Sequence, residues 1–95
     1  MGFEYTLETY DPQRVGLESF LMGLPEFLNE DEGRINLTAN GTEVAITVSI
    51  NESRVHVAQH VSCRKADEIL GLLIRKILTL NDHVVVSEQR SGSGP

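Results

Sequence analysis

Cys63 and His60 are the two residues of this chain whose types and spacing come nearest to catalytic chemistry. Cys63 is expected just inside the amino terminus of a helix and directly precedes two cations, Arg64 and Lys65. Helix amino termini and neighbouring cations favour the thiolate, and a histidine shortly before the cysteine can serve as its base. The pair is therefore a candidate for a small thiol-dependent enzyme or redox sensor. The alternative is a half-buried cysteine that acts as a small hydrophobic residue, because no orienting third residue or family signature accompanies it.

Metal and cofactor sites have little support in the sequence. His56 and His60 share one face of a predicted strand, where four residues span about 13 Å, which is too far for two ligands of one zinc ion. The acidic run from Glu30 to Gly33 lacks the alternating carboxylates and the distant glutamate of a calcium-binding loop. Glycine-rich phosphate loops, nucleophile elbows and Cys-x-x-Cys pairs are absent from the sequence. The sequence therefore predicts no metal site and no cofactor.

Hydrophobic periodicity predicts a strand and then a helix in the first third of the chain. Residues 3–10 alternate between apolar and polar side chains, as a half-buried strand does. Asp11 and Pro12 are expected to open the helix as its N-cap and first helical residue. Pro25 removes a backbone N–H from the apolar stripe of this helix. A kink and a short second helical piece are therefore expected at Pro25, followed by a polar loop at residues 29–33.

A meander of strands, a second helix and a last strand follow. The strands of the meander are predicted at residues 35–39, 44–50 and 55–61. The second helix is predicted to follow Ser62 as its cap and to end at Asn81, and the last strand is predicted at residues 84–86. Asn40-Gly41 is the strongest hairpin signal of the chain, because a type I′ turn needs positive φ at both central positions. The period-2 alternation of the meander predicts strands with one apolar face each.

These elements predict an α+β domain over residues 1–89 with the order β-α-β-β-β-α-β. A mainly antiparallel sheet and two amphipathic helices pack most simply as a two-layer sandwich with both helices on one face of the sheet. Alternation places Val44 and every second residue up to Ile50 under the helices, which leaves a polar sheet face. Residues 90–95 are expected to be a disordered tail or a leftover expression sequence.

The charge of the chain is negative and unevenly distributed. Its net charge is −6, whereas nucleic-acid and anionic membrane binding favour a basic surface. Residues 1–32 hold eight acidic residues and one arginine, a net charge of −7, and residues 33–95 carry +1. This asymmetry predicts an acidic half that binds a basic protein partner and gains association rate by steering, with solubility as the alternative explanation. Glu4 and Glu8, on the exposed face of the first strand, are the carboxylates expected to contact that partner.

Four apolar residues lie outside the predicted core stripes of the two helices. Val15 and Met22 fall on the side of the first helix that points away from its stripe. Leu72 and Leu78 each lie about 120° from the centre of the stripe on the second helix. The four residues predict a homodimer interface or a partner-binding groove. The alternative is that they are scattered surface side chains, which are normal in monomeric proteins.

The predicted function is that of a small acidic protein–protein interaction module. In size, charge and layer type the chain resembles secretion chaperones, toxin-immunity proteins and inhibitors, although it shares no motif with them. It begins with an amphipathic strand rather than a signal peptide and has one cysteine, so a cytoplasmic location is expected. A homodimer is expected from the four apolar helix residues, and a binding module is favoured over an enzyme without excluding one. Two alternatives stay open, namely the thiol-dependent enzyme centred on Cys63 and His60, and a subunit of a larger assembly with no activity of its own.

Overall fold

Six strands and two helices make up the fold in a computed structural model that describes residues 3–61 and 63–90. The strands are β1 (Phe3–Glu8), β2 (Phe27–Asp31), β3 (Arg34–Thr38), β4 (Val44–Ile50), β5 (Arg54–Gln59) and β6 (Val85–Arg90), and the helices are α1 (Arg14–Met22) and α2 (Arg64–Leu80).

The strands form a single antiparallel sheet in the order β2-β3-β4-β5-β1-β6. Strands β2 to β5 follow one another as a meander, and β1 lies between β5 and β6. Both helices pack on the same face of the sheet and bury its apolar side chains. The predicted α+β two-layer architecture is therefore confirmed, and the other sheet face, called the open face below, is left without helices.

The hydrophobic core lies between the sheet and the two helices. Leu17 and Leu21 face it from α1, and Ile69, Leu73 and Ile77 face it from α2 at the spacing of one helical stripe. All five side chains are almost inaccessible to solvent. Burial of this kind contributes about 1.5–3 kcal/mol per large apolar side chain, so the stripes position both helices on the sheet.

The alternation predicted for β4 holds for Ile46, Val48 and Ile50, which all belong to the core. Val44 is an exception, because it is half-buried and lies outside the core cluster. The register of β3 and β4 shifts between Leu37 and Thr38. This irregularity interrupts the alternation of β4, so Val44 does not join the core.

Strand β2 was not expected from the sequence, which predicted a helical piece from Pro25 and a polar loop instead. Helix α1 ends at Met22, and a turn in which the Phe27 N–H donates to the Leu24 carbonyl leads directly into β2. The Thr38 N–H then donates to the Glu26 carbonyl at 2.8 Å, which begins the pairing with β3. The apolar residues at the start of β2 therefore pack in the sheet layer instead of extending α1.

A two-residue turn at Glu32-Gly33 closes the β2–β3 hairpin. Glu32 and Gly33 have φ angles of 51° and 80°, the positive pair that a type I′ turn requires. The Gly33 N–H donates to Glu30 Oε2 at 2.8 Å, so the acidic run forms a hairpin turn with defined geometry.

The prediction of a type I′ turn at Asn40-Gly41 is wrong. Only Gly41 of this pair has a positive φ, at 89°, and the connection is a longer loop between β3 and β4. Thr38 Oγ1 accepts the Gly41 N–H at 2.9 Å, and Asn40 Oδ1 accepts the Glu43 N–H at 2.9 Å. Side-chain acceptors stabilise this loop in place of a two-residue turn.

The helix boundaries also differ from those expected. The N-cap of α1 is Gln13 instead of Asp11, and Asp11 Oδ1 accepts the Gln13 N–H at 2.9 Å. The N-cap of α2 is Cys63, and Ser62, the expected cap, lies outside the described residues. At the other end of the chain, β6 includes Arg90, one residue beyond the predicted domain, and residues 91–95 lie outside the described part.

Candidate functional site

Ten exposed charged residues lie at one end of the sheet. In an antiparallel sheet of this order, the β2–β3 turn, the β4–β5 turn, the end of β1 and the start of β6 all lie at the same end. The Arg14 guanidinium also lies beside Gly33 there, and Asn81 bonds Asp11 across the same end. We call this region the acidic end, and its charged residues are Glu8, Asp11, Glu30, Asp31, Glu32, Glu52 and Asp82 with Arg14, Arg34 and Arg54.

Seven carboxylates against three guanidinium groups leave the acidic end with a net charge of −4, and all ten residues are exposed. All of this net charge belongs to residues before position 33, because the later charged residues at this end, Glu52 and Asp82 with Arg34 and Arg54, balance one another. The net negative charge of the acidic end therefore comes from the acidic first third of the chain, and the topology adds further charged groups there without changing the total.

Half of the acidic residues in the first third of the chain contact a basic side chain of the protein. Glu4 Oε1 lies 2.9 Å from His56 Nε2, and Glu8 Oε1 lies 3.9 Å from Arg54 Nε. The other two contacts are the ion pairs of Glu18 with Arg14 and of Glu26 with Lys65.

Glu4 and Glu8, the carboxylates expected to contact a partner, therefore differ in availability. The contact of Glu4 is short, whereas Glu8 makes a long contact and its side chain is 49% exposed. Asp31 and Glu32 make no ion pair with another described residue, so the β2–β3 hairpin holds the most available negative charge.

A shallow polar depression of about 410 Å³ lies on the open face. Small side chains from β4 and β5 form part of its lining, and larger polar side chains surround them. The lining residues are Asp31, Arg34, Asn36, Thr47, Ser49, His56, Ala58 and His60.

A chain of hydrogen bonds crosses the open face and holds three of these side chains in place. Asn36 Nδ2 donates to Asn29 Oδ1 at 2.8 Å, and Thr47 Oγ1 donates to Asn36 Oδ1 at 2.8 Å. His60 Nε2 lies 2.9 Å from the same Thr47 oxygen. Since the only proton of the Thr47 hydroxyl is used on Asn36, that oxygen accepts and His60 Nε2 must carry a proton. Neutral His60 is therefore the Nε2–H tautomer.

The histidines of the open face do not form a metal centre within the described residues. His56 Nε2 is occupied by Glu4 and His60 Nε2 by Thr47. No group of three or more histidine, cysteine, aspartate or glutamate side chains with metal-binding geometry occurs among residues 3–61 and 63–90.

Cys63 and His60 are directed to opposite sides of the sheet. Cys63 is half-buried and packs against the core at the start of α2, on the helix-covered side. The His60 ring lines the depression on the open face and is held there by Thr47. The structure therefore does not bring the two candidate catalytic residues together.

A polar cluster under the start of α2 was not expected from the sequence. Gln59 is buried, and its Nε2 donates to the Val61 carbonyl at 3.1 Å and to Asp67 Oδ1 at 3.3 Å, while Oε1 has no partner among the described residues. Tyr5 is nearby, and burial, followed by the negative charges of Glu88 and Asp67, raises its pKa above the ordinary value. The strand pattern of β5 indicated only that Gln59 interrupts an apolar alternation.

No family model, curated protein or solved structure matches this chain. Among the described residues, neither helix has the length and apolar character needed to cross a membrane.

The four apolar residues expected at an interface are all exposed, but they do not form one patch. Val15 and Met22 share the outer side of α1, with exposed fractions of 77% and 40%. Leu72 borders a shallow depression on α2, and Leu78 lies about 120° further around the same helix. The two helices therefore present separate apolar positions.

Two further exposed apolar residues, Val85 and Val86, lie on β6 at the edge of the sheet. The sequence indicated a strand there through its run of three valines, but it did not indicate that this strand is an edge. That position follows from the insertion of β1 between β5 and β6, a pairing between distant segments of the chain.

Proposed function

We propose that this protein is a protein–protein interaction module that binds a basic surface of its partner through the acidic end. The observation that carries the proposal is the net charge of −4 on ten exposed residues gathered at one end of the sheet. Because the excess charge is negative, a cationic protein surface is a better complement than a nucleic acid or an anionic membrane.

Defined backbone geometry supports this use of the acidic end. The Glu30 carboxylate accepts a hydrogen bond from the Gly33 N–H in the β2–β3 turn. The Thr9 N–H donates to the Ser53 carbonyl at 3.1 Å, which joins the end of β1 to the β4–β5 turn. Asp11 and Asn81 are joined by two hydrogen bonds. A surface that is ordered before binding loses less conformational entropy when a partner docks.

The charges of the acidic end act mainly on the rate of association. Exposed charges attract an approaching cationic surface over a range of about 8–10 Å at ordinary ionic strength, and salt screens this attraction. Electrostatic complementarity of this kind raises the association rate constant and suppresses wrong partners more than it strengthens a docked complex.

The test uses octalysine as a cationic probe and follows amide chemical shifts during titration. The chemical-shift changes should be concentrated at the acidic end and should become smaller as salt is added. The affinity for octalysine should fall about tenfold in the triple variant Asp31→Asn, Glu32→Gln, Glu52→Gln. A matched variant, Glu43→Gln, Glu68→Gln, Glu88→Gln, removes the same number of charges elsewhere. The matched variant should bind octalysine almost as the unsubstituted protein does. Equal losses in the two variants would mean that only the total charge matters and would contradict the proposal.

The same pair of variants identifies a natural partner. Proteins captured from a source lysate by the unsubstituted protein and the matched variant, but not by the acidic-end variant, are candidates for the partner. We expect such a partner to be a basic protein of the cytoplasm, and a larger assembly that contains this chain would be found in the same way.

The thiol-dependent alternative receives no support from a contact between Cys63 and His60, since they lie on opposite sides of the sheet. A Cys63→Ser variant that retains every measurable activity would remove it.

A further inference from the structure

β6 has an open edge. It pairs with β1 over all six of its residues in an unbroken register, and it is the last strand of the sheet among the described residues. Its outer backbone N–H and C=O groups therefore face away from the sheet, where they can form a ladder with another strand.

The opposite edge of the sheet, β2, is poorly suited to such pairing. Its register with β3 shifts between Phe27 and Asn29, and it ends in Glu30 and Asp31, which are exposed. Irregular pairing and charged side chains are the usual means by which natural edge strands avoid contacts with other chains. Strand β6 begins with valines instead.

Val85 and Val86 expose apolar surface on both faces of β6. Val85 is 54% exposed and lies opposite Glu8, on the open face, and Val86 is 46% exposed and lies opposite Leu7, on the helix-covered face. A strand that added to this edge would cover part of both valines and would satisfy the outer backbone groups at the same time.

We propose that the occupant of this edge is β6 of a second copy of the chain, so that two sheets join into one of twelve strands. Antiparallel pairing about a twofold axis makes a strand its own complement, and it closes at two copies. A register centred on Val86 places this residue opposite its counterpart and Val85 opposite Ser87. The same register places Glu88 opposite Val84 and away from the other Glu88, so like charges do not meet.

The dimer contact borders the acidic end, because Val85 lies opposite Glu8, but it includes none of the four helix residues expected at an interface. Sedimentation velocity between about 1 and 100 µM should show a dimer for the unsubstituted protein and a monomer for Val85→Lys, since an edge lysine opposes strand addition. Val15→Lys, at an exposed position of α1, is the matched control and should remain dimeric. A monomer for the unsubstituted protein, a dimer for Val85→Lys, or a monomer only for Val15→Lys would overturn the proposal.

A crosslink tests the register. In a Cys63→Ser background, which removes the chain's only cysteine, Val86→Cys should form an intermolecular disulfide with diamide as the oxidant, because directly opposed strand residues lie within disulfide distance. Val85→Cys should crosslink far more slowly, since its counterpart would be displaced along the strand. Equal rates for the two cysteines, or no crosslink at either, would contradict this register. The octalysine titration uses the unsubstituted protein and its acidic-end variants and not Val85→Lys, so a failure of the dimer experiments leaves the proposed binding function to be judged separately.

Discussion

Asp11 and Asn81 are joined by two hydrogen bonds although they lie 70 positions apart in the chain. The Asp11 N–H donates to Asn81 Oδ1 at 3.1 Å, and Asn81 Nδ2 donates to the Asp11 carbonyl at 2.8 Å. The pair joins the end of α2 to the segment that leads from β1 into α1. It therefore couples the two helices at the acidic end through the backbone of one residue and the side chain of the other.

Replacing Asn81 with alanine should lower the free energy of unfolding by about 1–2 kcal/mol. Each hydrogen bond contributes about 0.5–1.5 kcal/mol, and partial exposure to solvent keeps the sum below the upper limit. Urea denaturation measures the change, and Asn51→Ala, at an exposed residue of the β4–β5 turn, is the control. A loss for Asn81→Ala no greater than that for Asn51→Ala would mean that the Asp11 contact adds no stability.

Thr47 is predicted to determine the tautomer of His60. Thr47→Val removes the oxygen that accepts from His60 Nε2 and the hydroxyl that donates to Asn36, so the His60 ring loses its fixed orientation. Nitrogen-15 spectra of the imidazole should show the Nε2–H tautomer in the unsubstituted protein and a mixture of tautomers in Thr47→Val. The control is Thr6→Val on β1, whose hydroxyl makes no hydrogen bond to another of the described residues. An unchanged tautomer in Thr47→Val would contradict the hydrogen-bond directions assigned to the open face.

Stability at alkaline pH should depend on Tyr5. Because burial and the charges of Glu88 and Asp67 raise its pKa above 10.0, the folded protein favours the neutral phenol. The contribution of the neutral Tyr5 phenol to the free energy of unfolding is therefore fully present below pH 10, and it is lost as the pH rises through the higher pKa of the folded state. Lys65 acts in the same direction, because its hydrogen bond to Glu26, and then the charges of Glu26 and Glu68, raise its pKa.

Tyr5→Phe separates the two contributions. Denaturation is measured at pH 8, 10 and 11. As the pH rises over this range, the free energy of unfolding should fall less for Tyr5→Phe than for the unsubstituted protein, and the fall that remains is the contribution of Lys65. Tyr10→Phe is the control, because Tyr10 is the only other tyrosine and is 77% exposed. Identical pH profiles for Tyr5→Phe and the unsubstituted protein would exclude Tyr5 as the source.

The architecture was predictable where side-chain periodicity alone decides the structure. The alternation of Ile46, Val48 and Ile50 and the stripe from Ile69 to Ile77 were sufficient to predict a sheet covered by helices on one face. Local signals failed where side chains competed with the backbone pattern. At Asn40 the amide oxygen accepts N–H groups of a longer loop, whereas Glu32, an unusual residue for positive φ, adopts the turn conformation.

The candidate surfaces were less predictable because they depend on pairing between distant segments. The acidity of the first third of the chain is visible in the sequence, but the gathering of its carboxylates with Glu52, Asp82, Arg34 and Arg54 at one end requires the strand order. Likewise, Val85 and Val86 become an exposed edge only because β1 pairs with both β5 and β6. Periodicity does not determine which strands become neighbours.

The geometry of the β2–β3 turn should depend on Gly33. This residue has a φ of 80°, and a side chain in that conformation costs about 1–2 kcal/mol, so Gly33→Ala should be destabilising by that amount. Gly16→Ala provides an opposite control in α1, where a Cβ would meet no atom within 4 Å and alanine should be stabilising by up to about 1 kcal/mol. Thermal denaturation of the two variants measures both effects.

The turn at Gly33 also links stability to the proposed binding function. If the acidic end acts through a defined arrangement of Glu30, Asp31 and Glu32, Gly33→Ala should weaken octalysine binding without changing any charge, whereas Gly16→Ala should leave it unchanged. Binding is to be measured well below the melting temperature of Gly33→Ala, so that unfolding does not contribute. Equal octalysine affinity in the two glycine variants would indicate that the carboxylates act as a diffuse charge, and the requirement for an ordered turn would then be wrong.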